Sequence, residues 1–341
     1  MTKLVHWGMP PNRQMCGYTL RTMKCSVVIR AYNESRHLGR LLEGLALQTG
    51  RELEVILVDS GSTDSTIQIA ESYGARIVRI PSGEFTFGRS LNLGIRAASC
   101  DFVVIASAHV YPVYPDWIER LLQPFHDSSV AIVYGKQRGT AGSAFSEQQI
   151  FHQWFPDVDT MDQANPFCNN ANAAIRKALW WEQPYDETLT GLEDLAWARW
   201  VQSQGRAVAY AAHAEVVHVH EETSSGVYNR YRREGMAFKR IFPESHFSVY
   251  DCVRLILANG LSDLTQAARE RVLWRSLGSI AWFRAAQFWG TYQGYRHSGA
   301  VTQELRQRFY YPRGVTLQAV NERDIPPIRY NEAASGHEKE E

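Results

Sequence analysis

Residues 54–64 read EVILVDSGSTD, and this stretch decides the fold that the sequence predicts. The run before Asp59 is rich in β-branched and apolar residues, which is typical of a buried strand. Asp59 ends the strand, residues 60–63 turn the chain, and Asp64 is placed to cap a helix that closes near Tyr73-Gly74. A strand that passes through a short polar turn into a helix is the basic unit of a parallel α/β sheet.

The same unit occurs on both sides of this stretch. An apolar run at 25–31 precedes leucines at helical spacing from Leu38 onwards. Runs at 76–80 and 102–106 predict two further strands, and a helical pattern at 90–98 lies between them. Because strands and helices alternate, we expect an α/β fold with a mainly parallel sheet flanked by helices.

Polar residues follow three of these strands at the points where they end. They are Tyr32-Asn33-Glu34, residues 59–62 and Ser107-Ala108-His109. Ligands bind beyond the carboxyl ends of the strands in open α/β sheets, so we expect the three segments to meet at one crevice. The chain has neither GxGxxG after the first strand nor GxxxxGK[ST], which disfavours a dinucleotide fold and a P-loop enzyme.

Two adjacent carboxylates, Glu193 and Asp194, stand at the start of an apolar-periodic run that predicts a helix to residue 204. A helix N-terminus favours negative charge, so a carboxylate held there stays ionised and suits a general base. Taken alone, the pair fits a simple capping role at least as well.

The composition narrows the class of protein. The chain has 341 residues, 45% hydrophobic and 21% charged, which allows one large or two closely packed units. Its 36 cationic and 36 acidic residues give no net charge, so we expect no nucleic-acid partner. Five scattered cysteines without a CxxC pair predict neither a disulfide framework nor a zinc ribbon, and fit a reducing cytoplasm.

The sequence has no signal-peptide pattern and no apolar run long enough to predict a transmembrane helix. We therefore expect a cytoplasmic protein, with peripheral contact at the inner face of the membrane as the alternative. Residues 1–24 are predicted to be a polar, poorly ordered extension, and the last dozen or so residues to be disordered.

Four motifs in this order resemble those of the family 2 glycosyltransferases, which have the GT-A fold. The motifs are VIRAYNE at 28–34, VDSGSTD at 58–64, RSLNLG at 89–94 and Glu193-Asp194. The resemblance covers about residues 24–240 and implies a nucleotide-diphospho-sugar transferase fold. It also implies an inverting enzyme that moves a sugar from a nucleotide-diphosphate donor to a hydroxyl of a glycan or lipid-linked glycan. Asp194 would be the general base, and Glu193 would position it or contact the acceptor.

The resemblance implies roles for the strand-end residues in binding the donor. Tyr32 would contact or stack on the base, Glu34 and Asp59 would hold base or ribose, and Arg89 would face the diphosphate. Asn92 is expected to brace its helix, and capping or surface solvation is the alternative for Arg89 and Asn92. The donor-binding set implied is Ala31, Tyr32, Glu34, Asp59, Arg89, Ser107 and His109.

The sequence departs from the family at the end of the fourth strand. Family members usually carry Asp-x-Asp there, whose last carboxylate binds a divalent metal, whereas this chain has Ser107-Ala108-His109. His109 and His218 are therefore the expected ligands of Mn²⁺ or Mg²⁺, and imidazole suits Mn²⁺ better. His220 is expected to donate to the diphosphate or to support a ligand. The alternatives are ordinary strand histidines, or direct stabilisation of the diphosphate without metal.

Two further groups complete the expected site. Arg230 and Arg233, at helical i, i+3 spacing, would hold the leaving diphosphate, and a solvated basic face is equally consistent. Asn169, Asn170 and Trp154 would contact the acceptor, unless the asparagines form turns and the tryptophan lies in the core. Cys168 has no evident base partner and is not expected to be a nucleophile.

The motifs divide the chain into a GT-A domain at 25–240, a helical region at 241–312 and a tail at 313–341. Helices are predicted at 249–264 and 271–295, where tryptophans and tyrosines mix with arginines. This mixture is consistent with contact to a membrane surface, with packing on the catalytic domain, or with a homodimer interface.

Two other functions fit the sequence. A non-catalytic GT-A-like protein that binds a nucleotide or glycan as a scaffold is compatible with the missing Asp-x-Asp. Within the enzyme class, a rhamnosyltransferase with a dTDP-linked donor is compatible with the same motifs.

Overall fold

The computed structural model describes residues 24–49, 53–81, 84–220, 223–296 and 325–330. Nearly all of the predicted N-terminal extension and the final residues of the predicted tail lie outside this part of the chain.

The secondary structure begins with the alternation that the sequence predicts. The strands are β1 Cys25–Ala31, β2 Glu54–Asp59, β3 Arg76–Arg79, β4 Phe102–Ser107, β5 Val110–Pro112, β6 Val130–Arg138, β7 Asn172–Arg176 and β8 Ala207–His218. The helices are α1 Ser35–Ala46, α2 Thr66–Ser72, α3 Phe87–Ala97, α4 Trp117–Leu122, α5 Phe145–Trp154, α6 Lys177–Glu182, α7 Glu193–Ser203, α8 Ser224–Ile241, α9 Val249–Arg269 and α10 Leu273–Tyr295.

The strands form one sheet in the order β3-β2-β1-β4-β7-β6-β8-β5. Strands β1, β2, β3 and β4 run parallel, and so do β6 and β8. Strand β7 is antiparallel to both β4 and β6, so β6 and β8 again point in the direction of β4. The predicted fold class is confirmed, and the carboxyl ends of β1, β2, β4, β6 and β8 lie at one edge.

Helices cover both faces of the sheet. Val27 and Ile29 of β1 pack into the core on one face with α1 and α4, whereas Val28 packs on the other with α3, α6 and α7. This split follows from the alternation of side chains along a strand. Burial on both faces explains why the strands read as continuous apolar runs.

Strand β8 differs from the prediction. The residue pattern predicts two short strands, at 206–210 and 215–219, but β8 is continuous over Ala207–His218. Its pairing with β6 shifts register between Gly135 and Gln137, which pair with Ala211 and Val216. Between these pairs β8 has more residues than β6, and this bulge lies where the sequence predicts a gap between two strands. A β-bulge bends a strand without ending it.

The sequence of residues 135–190 has no clear helical or strand periodicity. The segment nevertheless contains the end of β6, helix α5, strand β7 and helix α6. The short β7 is inserted antiparallel between β4 and β6. Its position depends on partners distant in sequence, which a local pattern does not reveal.

The two predicted C-terminal helices are present as α9 and α10. Helix α10 packs closely on α8, because glycines of α10 face the α8 backbone. A Cβ atom at Gly290 would lie 2.5 Å from the carbonyl oxygen of Tyr228. Helix α10 therefore fixes the helix that carries Arg230 and Arg233. Within the described ranges, the helices all lack the combination of length and apolar character needed to cross a bilayer.

A short part of the predicted tail, residues 325–330, lies against β5. The Ile328 amide donates to the carbonyl oxygen of Val113 at 2.9 Å. The ring of Tyr330 packs edge-on against Tyr111, with 5.0 Å between ring centroids, and its hydroxyl donates to the carbonyl of Pro112.

Candidate active site

A cleft of about 580 Å³ lies beyond the carboxyl ends of β1, β4 and β8. It brings together residues that the sequence analysis singled out separately. Those that line it are Glu34, Ser107, His109, Asn169, Asn170, Asp194, His218, His220, Arg230 and Arg233. The segments after β1 and β4 therefore meet at this cleft as expected, whereas residues 59–62 are not among its lining residues, and residues from α7 and α8 complete it.

The loops after β1 and β2 are joined into one wall. Asn33, at a positive φ of 54°, donates its amide to Ser62 Oγ at 2.9 Å, and its side-chain oxygen accepts the Thr63 amide at 2.8 Å. Asp64 Oδ2 accepts the amide of Ser35 at 3.0 Å, which ties the second loop to the start of α1. These bonds explain the polar composition of both loops.

Asp59 is 2% exposed and shapes its own turn. Its carboxylate accepts the amides of Gly61 at 2.9 Å and Ser62 at 3.2 Å, and Gly61 has a positive φ of 97°. Ala31 pairs with Asp59 across the two strands, and the ring of Tyr32 is exposed at the wall. The predicted contacts of Ala31, Tyr32 and Asp59 with a nucleotide stay predictions.

Arg89 does not line the cleft. Its guanidinium forms ion pairs with Glu84 and with Glu187, the latter at 3.4 Å, so its placement does not support the predicted contact with a diphosphate. Asn92 is buried and bridges α3 to the segment before α7. Its amide donates to the carbonyl of Tyr185 and to Glu187 Oε1, both at 2.9 Å, which is the bracing role expected for it.

Asp194 is fixed by two backbone amides at the start of α7. Oδ2 accepts the Asn170 amide at 3.0 Å, and Oδ1 accepts the Leu195 amide at 2.8 Å. Leu192, just before the helix, has a positive φ of 57°, a conformation that is strained for a bulky residue. Burial and the neighbouring Glu193 carboxylate raise the pKa of Asp194 to about 7, despite the two amide donors. The expectation that the helix N-terminus keeps this carboxylate ionised is therefore wrong near neutral pH, because burial outweighs the favourable helix end.

Glu193 is buried and contacts Arg30, with 3.2 Å between Oε1 and Nη1. Arg30 was missed in the sequence analysis, although it is the one charge inside the apolar run of β1. The ring of Phe87 lies between Arg30 and Arg233, whose guanidinium carbons are 5.3 and 4.7 Å from its centroid. Arg30, Phe87 and Arg233 all line the cleft, so this stack places two cations there.

Three histidines converge at the cleft. His109 follows β4, His218 ends β8 and His220 lies just beyond it. One nitrogen of each ring lies within 4.8 Å of a nitrogen of the other two. The rings of His109 and His218 stack at 5.1 Å, and those of His218 and His220 lie 4.0 Å apart. His109 and His218 were predicted from the sequence to be metal ligands, and His220 belongs to the same cluster in the structure.

Each histidine holds an oxygen acceptor through Nδ1. His109 lies 2.7 Å from Glu34 Oε1, His218 lies 2.7 Å from Gln137 Oε1, and His220 lies 2.8 Å from Glu147 Oε1. For His109 and His218 these acceptors favour the tautomer with the proton on Nδ1, which leaves the Nε2 lone pair available, whereas His220 Nδ1 also lies 3.3 Å from the donor Arg230 Nη1.

The cluster fits a divalent cation. His218 Nε2 is buried and has no hydrogen-bond partner within the described residues. Burial, together with the neighbouring cationic and imidazole groups, lowers the pKa of His218 and of His220 well below the usual value, so both rings are neutral. Neutral imidazoles whose other nitrogen binds an oxygen acceptor are the usual protein ligands of transition metals. A buried, unpartnered nitrogen is costly unless something binds it.

Arg230 is part of the same network. Its Nη2 donates to Glu147 Oε1 at 2.7 Å, and its Nη1 lies 3.3 Å from His220 Nδ1. Its side chain is 17% exposed, so the alternative of a solvated basic face is wrong for this residue. Glu147 thus links Arg230, which is predicted to bind the diphosphate, to the histidine cluster.

A second, smaller cavity of about 80 Å³ also borders Asp194. Trp154 lies on this cavity and not on the cleft, whereas Asn169, Asp194 and Glu234 border both spaces. Asn170 holds Asp194 through its main chain, and its side-chain nitrogen is buried without a hydrogen-bond partner among the described residues.

The nearby Cys168 also lines the smaller cavity. Burial and the carboxylates of Asp194 and Glu193 raise the pKa of its thiol well above the usual value. A thiol that stays protonated is a poor nucleophile, in agreement with the sequence-based expectation.

Comparisons with known proteins agree with this architecture. Residues 26–182 match the family model "Glycosyl transferase family 2". The chain is 28% identical over 206 residues to the O-antigen chain rhamnosyltransferase WbaN of Salmonella anatum, covering 55% of this chain and 64% of WbaN. It is 26% identical over 227 residues to the O-antigen chain rhamnosyltransferase RfbN of Salmonella typhimurium, covering 63% of this chain and 72% of RfbN. The match with WbaN therefore spans less than two thirds of that relative's length.

Solved structures show the same fold. The mannosyltransferase PcManGT of Pyrobaculum calidifontis, in complex with GDP-Man and Mn²⁺, superposes with a TM-score of 0.55 at 19% identity, covering 81% of this chain and 86% of PcManGT. Residues 1–349 of TarS from S. aureus, in complex with UDP-GlcNAc, give a TM-score of 0.50 at 18% identity, covering 81% and 92%. These likenesses show that the chain has the fold of these solved glycosyltransferases, and residues 26–182 match the family 2 model.

Proposed function

We propose that this glycosyltransferase moves a sugar from a nucleotide-diphosphate donor to a hydroxyl group of a glycan or lipid-linked glycan, with inversion at the anomeric carbon. The observation that carries the proposal is that Asp194 borders both cavities. The larger cleft, at the strand ends, would hold the donor. The smaller cavity, beside Trp154, would hold the acceptor sugar against an apolar ring face.

In this arrangement Asp194 removes the proton of the acceptor hydroxyl as its oxygen attacks the anomeric carbon. The bond between that carbon and the diphosphate oxygen breaks, and the nucleoside diphosphate leaves from the opposite face. A single displacement of this kind inverts the configuration. The amides of Asn170 and Leu195 hold the carboxylate in place, so that it meets the hydroxyl in a fixed orientation.

The cleft offers positive charge for the leaving group. Arg30, Arg230 and Arg233 line it, and Phe87 and Glu147 hold their guanidinium groups. His109, His218 and His220 would hold a divalent cation, which supplies further positive charge to a diphosphate. Glu34, Gln137 and Glu147 orient the three rings through Nδ1.

A rhamnosyl donor is the first candidate, because two of the similar proteins are named O-antigen chain rhamnosyltransferases. A panel of dTDP-rhamnose, UDP-GlcNAc and GDP-mannose tests the proposal by release of the nucleoside diphosphate, with and without oligosaccharide acceptors. We expect one donor to give acceptor-stimulated release and a new glycoside. Saturable binding of a donor or glycan with no release under any of these conditions would support the scaffold function instead.

The pH dependence of the activity should follow the ionisation of Asp194. Only the carboxylate accepts a proton, and burial raises its pKa to about 7. We therefore expect kcat/KM to fall about tenfold per pH unit below a midpoint near neutral pH, well above the range of an ordinary aspartate. The measurement is kcat/KM for the acceptor as a function of pH, at a saturating concentration of donor.

The variant Glu193→Gln tests the cause of this pH dependence. It removes the neighbouring negative charge and frees Arg30, and both changes favour the ionised form of Asp194. The acid limb should therefore move to lower pH. An acid limb that stays in place, or moves to higher pH, would contradict the assignment of this limb to Asp194.

A further inference from the structure

The hairpin of α9 and α10 exposes apolar side chains along one face of each helix. On α9 these are Tyr250, Val253, Leu257 and Leu261, spaced three or four residues apart and between 52% and 71% exposed. On α10 the exposed positions are Trp274, Leu277, Ala281, Ala285 and Trp289, and Trp274 is 86% exposed. We call these nine residues the hairpin face.

The buried side of the hairpin carries polar and charged side chains among its apolar ones. Arg284 donates to both carboxylate oxygens of Asp263, at 2.7 and 2.9 Å, and Ser146 of α5 donates to the same aspartate at 2.6 Å. Asn259 and Gln287 are also buried. A helix pair at the surface of a soluble domain normally buries its apolar stripe and exposes its polar side. Here an extended part of the outer surface is apolar, which is typical of a docking surface.

The charges around the hairpin face are almost all positive. The exposed charged residues between positions 249 and 275 are Arg254, Arg269, Glu270, Arg271 and Arg275. The other two acids of the hairpin, Asp251 and Asp263, are buried. Apolar residues with exposed tryptophan, bordered by arginines, match the interface of an anionic bilayer.

We propose that the hairpin face docks this protein onto an anionic lipid bilayer. The arginines beside the hairpin face favour an anionic bilayer over a second copy of the chain. A two-fold symmetric dimer would bring the positively charged borders of the two hairpin faces together, and these would repel each other. Docking would place the apolar side chains at the boundary of head groups and acyl chains, with the arginines at the phosphates. Since α10 packs along α8, the bilayer would lie at a fixed distance from the cleft that Arg230 and Arg233 border.

The test is sedimentation of the full chain with lipid vesicles. Vesicles that mix phosphatidylglycerol with phosphatidylcholine should bind the protein about tenfold or more tightly than phosphatidylcholine alone, because each arginine near an anionic surface contributes to binding. Added salt should weaken this preference. No binding, or equal binding to both vesicles, would overturn the proposal.

Variants locate the surface. Trp274→Ala should reduce the partition coefficient about tenfold, and the pair Leu257→Glu with Leu261→Glu should reduce it further. Trp181→Ala is the matched control, because Trp181 is 57% exposed but lies on α6, and it should bind vesicles like the unaltered chain. A dimer in sedimentation velocity that the Trp274 and leucine variants dissociate would assign the face to a second copy and overturn membrane docking.

Discussion

Asp194→Asn is expected to lower kcat by about 10²–10⁴-fold, the range typical for loss of a general base. The amide is close to the carboxylate in size but does not take up the acceptor proton. The donor should still bind, because Asp194 is one residue at the rim of a cleft whose cations lie elsewhere. The measurements are turnover under saturating substrates and donor affinity by calorimetry.

A matched variant separates loss of the base from a general effect of the substitution. Asp127→Asn changes an exposed aspartate that also accepts a backbone amide, that of Ser129 at 2.8 Å, but lies far from the cleft in the fold. Its turnover should equal that of the unaltered enzyme. Near-normal turnover in Asp194→Asn, with Asp127→Asn as the reference, would show that another group takes the proton.

His218→Ala is expected to weaken the binding of Mn²⁺ by more than about 100-fold, because it removes a buried ligand whose Nε2 has no hydrogen-bond partner among the described residues. Turnover supported by Mn²⁺ should fall with it. Gln137→Ala should weaken Mn²⁺ binding by about 10–100-fold, since it removes the acceptor that orients the His218 ring. Calorimetric titration with Mn²⁺ alone measures both effects without any requirement for turnover.

His126→Ala serves as the control, because His126 is exposed at the end of a short turn and away from the cluster. It should bind Mn²⁺ like the unaltered chain. If the unaltered protein binds no Mn²⁺, and its donor binding is the same with EDTA, the histidines do not form a metal site. The diphosphate would then depend on the arginines and the histidine rings as direct donors.

The sequence predicted the first half of the sheet well, because each strand there is a continuous apolar run followed by a polar turn. It also predicted that Glu34, Ser107 and His109 lie together, since the carboxyl ends of parallel strands share one edge of the sheet. These predictions depend on short-range patterns. Strand β7 and the continuous β8 were missed, because their limits are set by pairing with strands distant in the chain.

The partners of the site residues could not be predicted. Glu147 lies 73 residues from His220 along the chain, and Gln137 lies 81 residues from His218. Nothing in the local sequence connects these residues. Arg30 is the exception, because a lone charge within the apolar run of β1 is a visible signal. Arg89 forms ion pairs with Glu84, which is close in sequence, and with Glu187, which is distant in sequence. The ion pair with Glu187 could not be predicted without the fold.

The hairpin shows a similar limit. The mixture of aromatic residues and arginines is visible in the sequence, but the side of each helix that faces outward is not. Asp263 and Arg284 form a buried ion pair, whereas the apolar residues of the hairpin face are exposed.

The anomeric configuration of the product shows whether Asp194 assists a single displacement. With the donor identified by the nucleotide-release panel, nuclear magnetic resonance of the purified glycoside compares the one-bond carbon–proton coupling at the transferred sugar with that of the donor. We predict the opposite anomeric configuration in the product. Retention of the donor's configuration would contradict the single displacement and the role assigned to Asp194.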